Sequence, residues 1–228
     1  MFEVNETLIR EATERLAFRS WVYWIVGGSC SGKTSVCRAI SKKTGICVYD
    51  MDAHTYGAYM ARYADSRHPA SSAWFKRTDG LEWALSLSWD DFNSLNRTAN
   101  AEFLDLFSQD ISENYGDVPV LVDGGITHPS VLAAVVEPKR VSCLIIDDAE
   151  SRRHWETDES RVEMRRAVQG LPEGCKAWRK FLTFNEHMSE TINRESREQG
   201  IGAFKRERDS SVECLAEAVM QGLGIRLR

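Results

Sequence analysis

The chain has 228 residues, 43% of them hydrophobic, enough for one α/β domain over residues 1–228 with its own core and no evident linker. A formal net charge of −5 argues against a general nucleic-acid binder, because a phosphate backbone rewards a basic surface. No apolar run approaches the ~18 residues of a membrane span, the first residues are polar and acidic unlike a signal peptide, and six cysteines form no C-x-x-C pair; the expectation is a cytoplasmic protein with reduced thiols, no zinc site and no membrane partner.

Asn5 is placed to cap a first helix to about residue 17, with Leu8, Ile9, Ala12 and Leu16 on one face, read as cover for a sheet edge. Residues 21–26 form a buried-strand run that feeds into Gly27-Gly28-Ser29-Cys30-Ser31-Gly32-Lys33-Thr34-Ser35, followed by a helix over residues 33–43 that stops near Gly45. Gly27, Gly32, Lys33 and Thr34 fit G-x-x-x-x-G-K-[ST] in the strand–turn–helix context this pattern requires. The chemistry explains the residue types. A loop that wraps a polyphosphate with backbone N–H groups needs glycine where φ is positive or a Cβ would strike an oxygen. Lys33 then serves the β- and γ-phosphates as a point charge, and the Thr34 hydroxyl helps hold Mg²⁺. Cys30, among polarised amides and near Lys33, is expected to carry a depressed thiol pKa.

A second strand at residues 46–49 runs into Asp50-Met51-Asp52. Residues 53–92 are rich in aromatics; their rings either stack on a planar ligand or pack as a satellite core, and Arg62, Arg67 or His68 are candidates to neutralise an anionic group. Ser88 opens a long helix to about residue 112, a third strand is expected at 118–122, a short helix at 130–136 and a fourth strand at 141–146. The charged stretch 147–168 has a helical pattern with Arg161 and Arg165 at i and i+4, suited either to a phosphate or to ordinary solvated ion pairs. After the break at 171–174 come a helix at 176–198, a short last strand at 201–204 and a closing helix to 222 capped by Asp209-Ser210-Ser211. Strands alternating with helices predict a parallel sheet covered on both faces.

The glycine-rich loop, Asp50 and Asp52 at their offset from Lys33, and Val120-Leu121-Val122-Asp123-Gly124-Gly125 together resemble the P-loop kinases of nucleosides, nucleotides and small molecules, relatives of adenylate and shikimate kinases. The resemblance spans most of the chain. It implies a P-loop NTPase three-layer sandwich with strand order 2-3-1-4-5, and ATP and Mg²⁺ as cofactors. It further implies a metal held by Thr34 with Asp50 or Asp123, and an acceptor set by Asp52, Gly124 and Gly125. Residues 53–92 would cover the acceptor, and an arginine-bearing lid at about 148–175, with Arg161 and Arg165, would cover the phosphates. Asp52 would position or deprotonate an acceptor hydroxyl, although a strand-end acid also serves to cap the next helix. The expected activity is ATP-dependent phosphoryl transfer to a small molecule. The alternatives are a nucleotide-hydrolysing switch and a toxin-like or antibiotic-modifying kinase, and the acceptor and oligomeric state are left open.

Overall fold

The computed structural model describes residues 2–206 and 211–226. Its centre is a five-stranded, all-parallel sheet in the order β2-β3-β1-β4-β5, made of β1 (Val22–Gly27), β2 (Cys47–Asp50), β3 (Val120–Asp123), β4 (Val141–Ile145) and β5 (Gly202–Lys205). Successive side chains on a strand point to opposite faces, and the sheet divides its apolar residues accordingly. Trp24, Val26, Val120, Val122 and Cys143 pack on one face under α1 (Glu6–Leu16), α6 (Trp89–Asn114) and α10 (Gly174–Glu198). Ile25, Leu121 and Leu144 pack on the other face under α2 (Lys33–Thr44) and α11 (Val212–Gly222). The same alternation turns Asp50 and Asp123, which are register partners at the carboxyl ends of β2 and β3, toward the α2 face.

Several local expectations hold in detail. Asn5 accepts from the Thr7 amide to cap α1, Ser88 accepts from the Asp91 amide to cap α6, and Gly45 ends α2 in a left-handed conformation. Ser211 caps α11, while Asp209 and Ser210 lie outside the described residues. Helix α1 lies along α6 rather than on a sheet edge, because its Ala12–Leu16 face joins the core cluster that α6 also fills.

Residues 53–92 fold into α3 (Met51–Thr55), α4 (Pro69–Phe75) and α5 (Gly80–Ser86) with a 3₁₀ turn at Ala58–Ala61. Their anchor is α6: the buried Glu102 carboxylate accepts from the amides of Ala70 and Ser71 at the start of α4. The charged stretch forms α8 (Asp148–Thr157), a 3₁₀ turn (Glu159–Arg161) and α9 (Val162–Gln169). A third apolar cluster, including Leu85, Phe92, Trp155, Val168, Trp178 and Phe184, ties α5, α8 and α9 to α6 and α10. The remaining helix, α7 (Pro129–Ala133), follows β3. Among the described residues no helix is long and apolar enough to cross a membrane.

Candidate functional site

The loop after β1 is shaped by its backbone. Gly32, the N-cap of α2, has φ 92, a conformation in which an L side chain is strained even though a Cβ would meet only Arg206 Cδ, at 3.8 Å. No side chain caps α2, so the N–H groups of its first turn are free to meet an anion. Ser31 is fully buried and its amide donates to the Gly28 carbonyl, closing the turn, while Thr34 and Ser35 are exposed. Over this loop lies a cavity of ≈ 260 Å³, lined by Cys30, Gly32, Lys33, Thr34 and Ser35. Arg161 and Arg206 line its other side, and Arg206 donates to the Cys30 carbonyl at 3.0 Å.

Lys33 Nζ donates to the Gly27 and Gly28 carbonyls at 2.9 and 3.0 Å. It also feels Asp52 and Asp123, whose charges oppose the downward push of burial on its pKa. Gly124 allows this convergence: a Cβ there would stand 3.2 Å from Lys33 Cε and 3.8 Å from Asp52 Oδ2. The buried Trp24 indole donates to the Gly124 carbonyl at 2.9 Å and fixes the turn from below. Gly125 passes so close to α3 that its Cβ would fall 2.1 Å from Met51 Cγ.

The two strand-end acids divide their labour. Asp50 caps α3 by accepting from the Ala53 amide at 2.9 Å, so the capping role falls to it and not to Asp52, which stands in the first turn of α3. Asp123 hydrogen-bonds Thr34, and burial together with the Asp50 charge raises its pKa. Thr34, Asp50 and Asp123 thus present hard oxygen donors at one end of the sheet, which suits Mg²⁺. Among the described residues no group of three or more His, Cys, Asp or Glu side chains could hold a metal by itself. Asp52 is raised above the usual carboxylate range, chiefly by desolvation with Asp50 and Asp123 adding, while Lys33 and Arg161 pull the other way. It remains open to solvent at the mouth of the cleft, and its carboxylate is therefore made more basic without being sealed off.

A second cavity, of ≈ 300 Å³, begins at Gly27, Ser29, Lys33 and Asp52 and runs beneath α4, α5, α6 and α10. Gly125, Tyr56, Trp74, Phe92, Trp155 and Met164 are among its walls. Lys33 therefore belongs to both cavities.

Four expectations are corrected. Arg62 pairs with Asp110 and Gln109 on α6, and Arg67 pairs with Asp105 and Glu11; both are spent on holding the 53–92 segment to the body and neither lines either of these two cavities. Arg165 donates to the carbonyls of Trp155 and Glu156, bracing α9 against α8, while Arg161 alone of the pair reaches the polar cavity over the loop. Cys30 has its thiol pKa raised, because burial outweighs the charges of Arg161 and Lys33. The aromatic segment splits: Tyr59 and Tyr63 are core, while Tyr56 and Trp74 line the apolar cavity. Sequence reasoning missed Arg206, which follows the short last strand; a cation just past the carboxyl end of a parallel strand was the available signal. No protein-family model matches the chain, and no curated protein matches it.

Proposed function

We propose that this chain is an ATP- and Mg²⁺-dependent P-loop kinase that phosphorylates a small molecule. The observation that carries the reading is that Lys33 lines two cavities of opposite character, a polar one over the amides of α2 and an apolar one that opens beside Asp52. Hydrolysis alone needs only the first.

The loop amides, Lys33, Arg161 and Arg206 bind the triphosphate and spread its charge. Mg²⁺ held by Thr34 with Asp50 and Asp123 would neutralise phosphate oxygens. Asp52 accepts the proton of an acceptor hydroxyl while that oxygen bonds to the γ-phosphorus and the bond to ADP breaks; the products are ADP, a phosphate ester and the proton. A raised pKa makes Asp52 a better base than an ordinary carboxylate.

The test joins binding to turnover. ATP-Mg²⁺ should raise the melting temperature of the wild type, and Lys33→Ala should lose that gain while melting cooperatively without ligand. ADP release should then be accelerated by a member of a panel of hydroxyl compounds. An equal thermal gain in the variant removes the P-loop assignment, and ADP release that no acceptor accelerates favours the hydrolytic switch.

A further inference from the structure

We infer that the acceptor is an uncharged alcohol with a flat, apolar body of about two fused rings; this rests on the kinase reading, and it concerns what the cavity beside Asp52 admits. Charge comes first. Among the described residues the side chains that line this cavity and carry a formal charge are Lys33 and Asp52, both at its mouth. The arginines that would greet an anionic acceptor, Arg62 and Arg67, are locked to carboxylates elsewhere. A carboxylate or phosphomonoester deep in the cavity would stay unpaired in an apolar surround and lose its hydration without compensation. Lys33 cannot serve it without leaving the phosphates.

Shape and size come next. Trp74, Phe75, Phe92, Trp155, Phe181 and Phe184 line the wall, favouring a planar body that stacks or meets ring edges. A dry cavity of about 150 Å³ accommodates benzene, and ≈ 300 Å³ is available here. A naphthalene-sized body fits.

The polar groups set the remaining limits. Asn100 already accepts from the Thr127 amide and hydroxyl and from the His128 amide. Asn96 and Asn185 donate to backbone carbonyls of their own helices, and Ser71 donates to Glu102. Thr55 Oγ1 and Trp155 Nε1 lack hydrogen-bond partners but also have no surface open to the cavity, so neither is offered to a ligand. The recognised molecule therefore presents one hydroxyl to Asp52 and an apolar body to the aromatic wall.

The experiment uses a matched pair of ligands, naphthylethanol and naphthylacetate, titrated calorimetrically into the whole chain at neutral pH with saturating ADP-Mg²⁺, so that Lys33 is engaged by phosphate. Naphthylethanol should bind at least roughly tenfold more tightly, the factor that about 1.4 kcal/mol of desolvation difference produces. Met164 is 41% exposed at the cavity wall, so Met164→Arg adds a cation without disturbing the core, and it should narrow or reverse the preference. Equal or tighter binding of naphthylacetate to the wild type, or binding of neither, overturns the inference. The thermal gain with ATP-Mg²⁺ keeps the two proposals apart. Loss of nucleotide binding with the alcohol still bound removes the kinase reading alone, and nucleotide binding without the alcohol removes the acceptor class alone.

Discussion

Although Asp52 stays open to solvent on one side, partial desolvation and two neighbouring acids raise its carboxylate pKa. A base acts in its ionised form, so activity should be complete above its pKa and fall as pH drops through it. The acid limb of the kcat/KM profile should therefore lie above about 4, the ordinary aspartate range. Asp52→Asn should leave the thermal gain with ATP-Mg²⁺ intact, lower transfer by roughly 100-fold and abolish that limb. A limb that persists in the variant would assign it to another group. The glycines, Lys33 and Thr34 were legible in the sequence because a phosphate cradle is built from one contiguous segment. Arg62 and Arg67 were misread because their partners, Asp105, Asp110 and Glu11, are distant in the chain and only the packing of α6 brings them close. Cys30 failed for a different reason: proximity to cations can be read from sequence, but burial cannot.

At the scale of elements, the helices with capping residues and long apolar stripes were legible, and α3, α4 and α5 were not. Helices of five to seven residues are marginal on propensity alone and exist here through tertiary contacts, α3 with β3, α4 with α6, and α5 with α4 and α10. The charged stretch teaches the same lesson. Spacing of i and i+4 would place Arg161 and Arg165 together on a continuous helix, but Arg161 ends a 3₁₀ turn before α9 begins, and the two side chains part. Their losses should part as well. Arg161→Ala should cut transfer by roughly 100-fold, as for other preorganised charge donors, with little change in melting temperature. Arg165→Ala should cost about 1 kcal/mol of stability through the bonds to Trp155 and Glu156 and leave nucleotide affinity within a few-fold. The opposite assignment of phenotypes would put the phosphate contact on α9.

For the whole molecule, the alternation of strands with helices foretold a parallel sheet covered on both faces, and the observed strand order agrees with what the kinase resemblance implied. The third cluster was not foretold, since Trp155, Trp178 and Phe184 sit in segments that read as charged or mixed helices. His128 is buried, and desolvation depresses its pKa from about 6.5 to about 4 despite the opposing charge of Glu195. The folded state thus holds it neutral while the unfolded chain binds a proton, so its contribution is full above about 6.5 and is lost as pH falls toward 4. Urea titrations across that window should show a decline on the order of 3 kcal/mol from this group, and His128→Gln should flatten it. An unchanged slope would assign the acid sensitivity elsewhere.

The stacking of Arg161 on Trp155, with its guanidinium carbon 4.7 Å from the ring centroid, joins the two ligand sites through a single pair of side chains. Trp155 borders the apolar cavity and Arg161 the polar one. A molecule that immobilises the indole also immobilises the cation resting on it, so the second ligand loses less entropy on arrival. Reciprocity then follows from thermodynamics alone: whatever factor naphthylethanol adds to nucleotide affinity, nucleotide must add to naphthylethanol affinity. Trp155→Leu keeps an apolar wall but removes the aromatic face, and in that variant the two factors should fall together toward one.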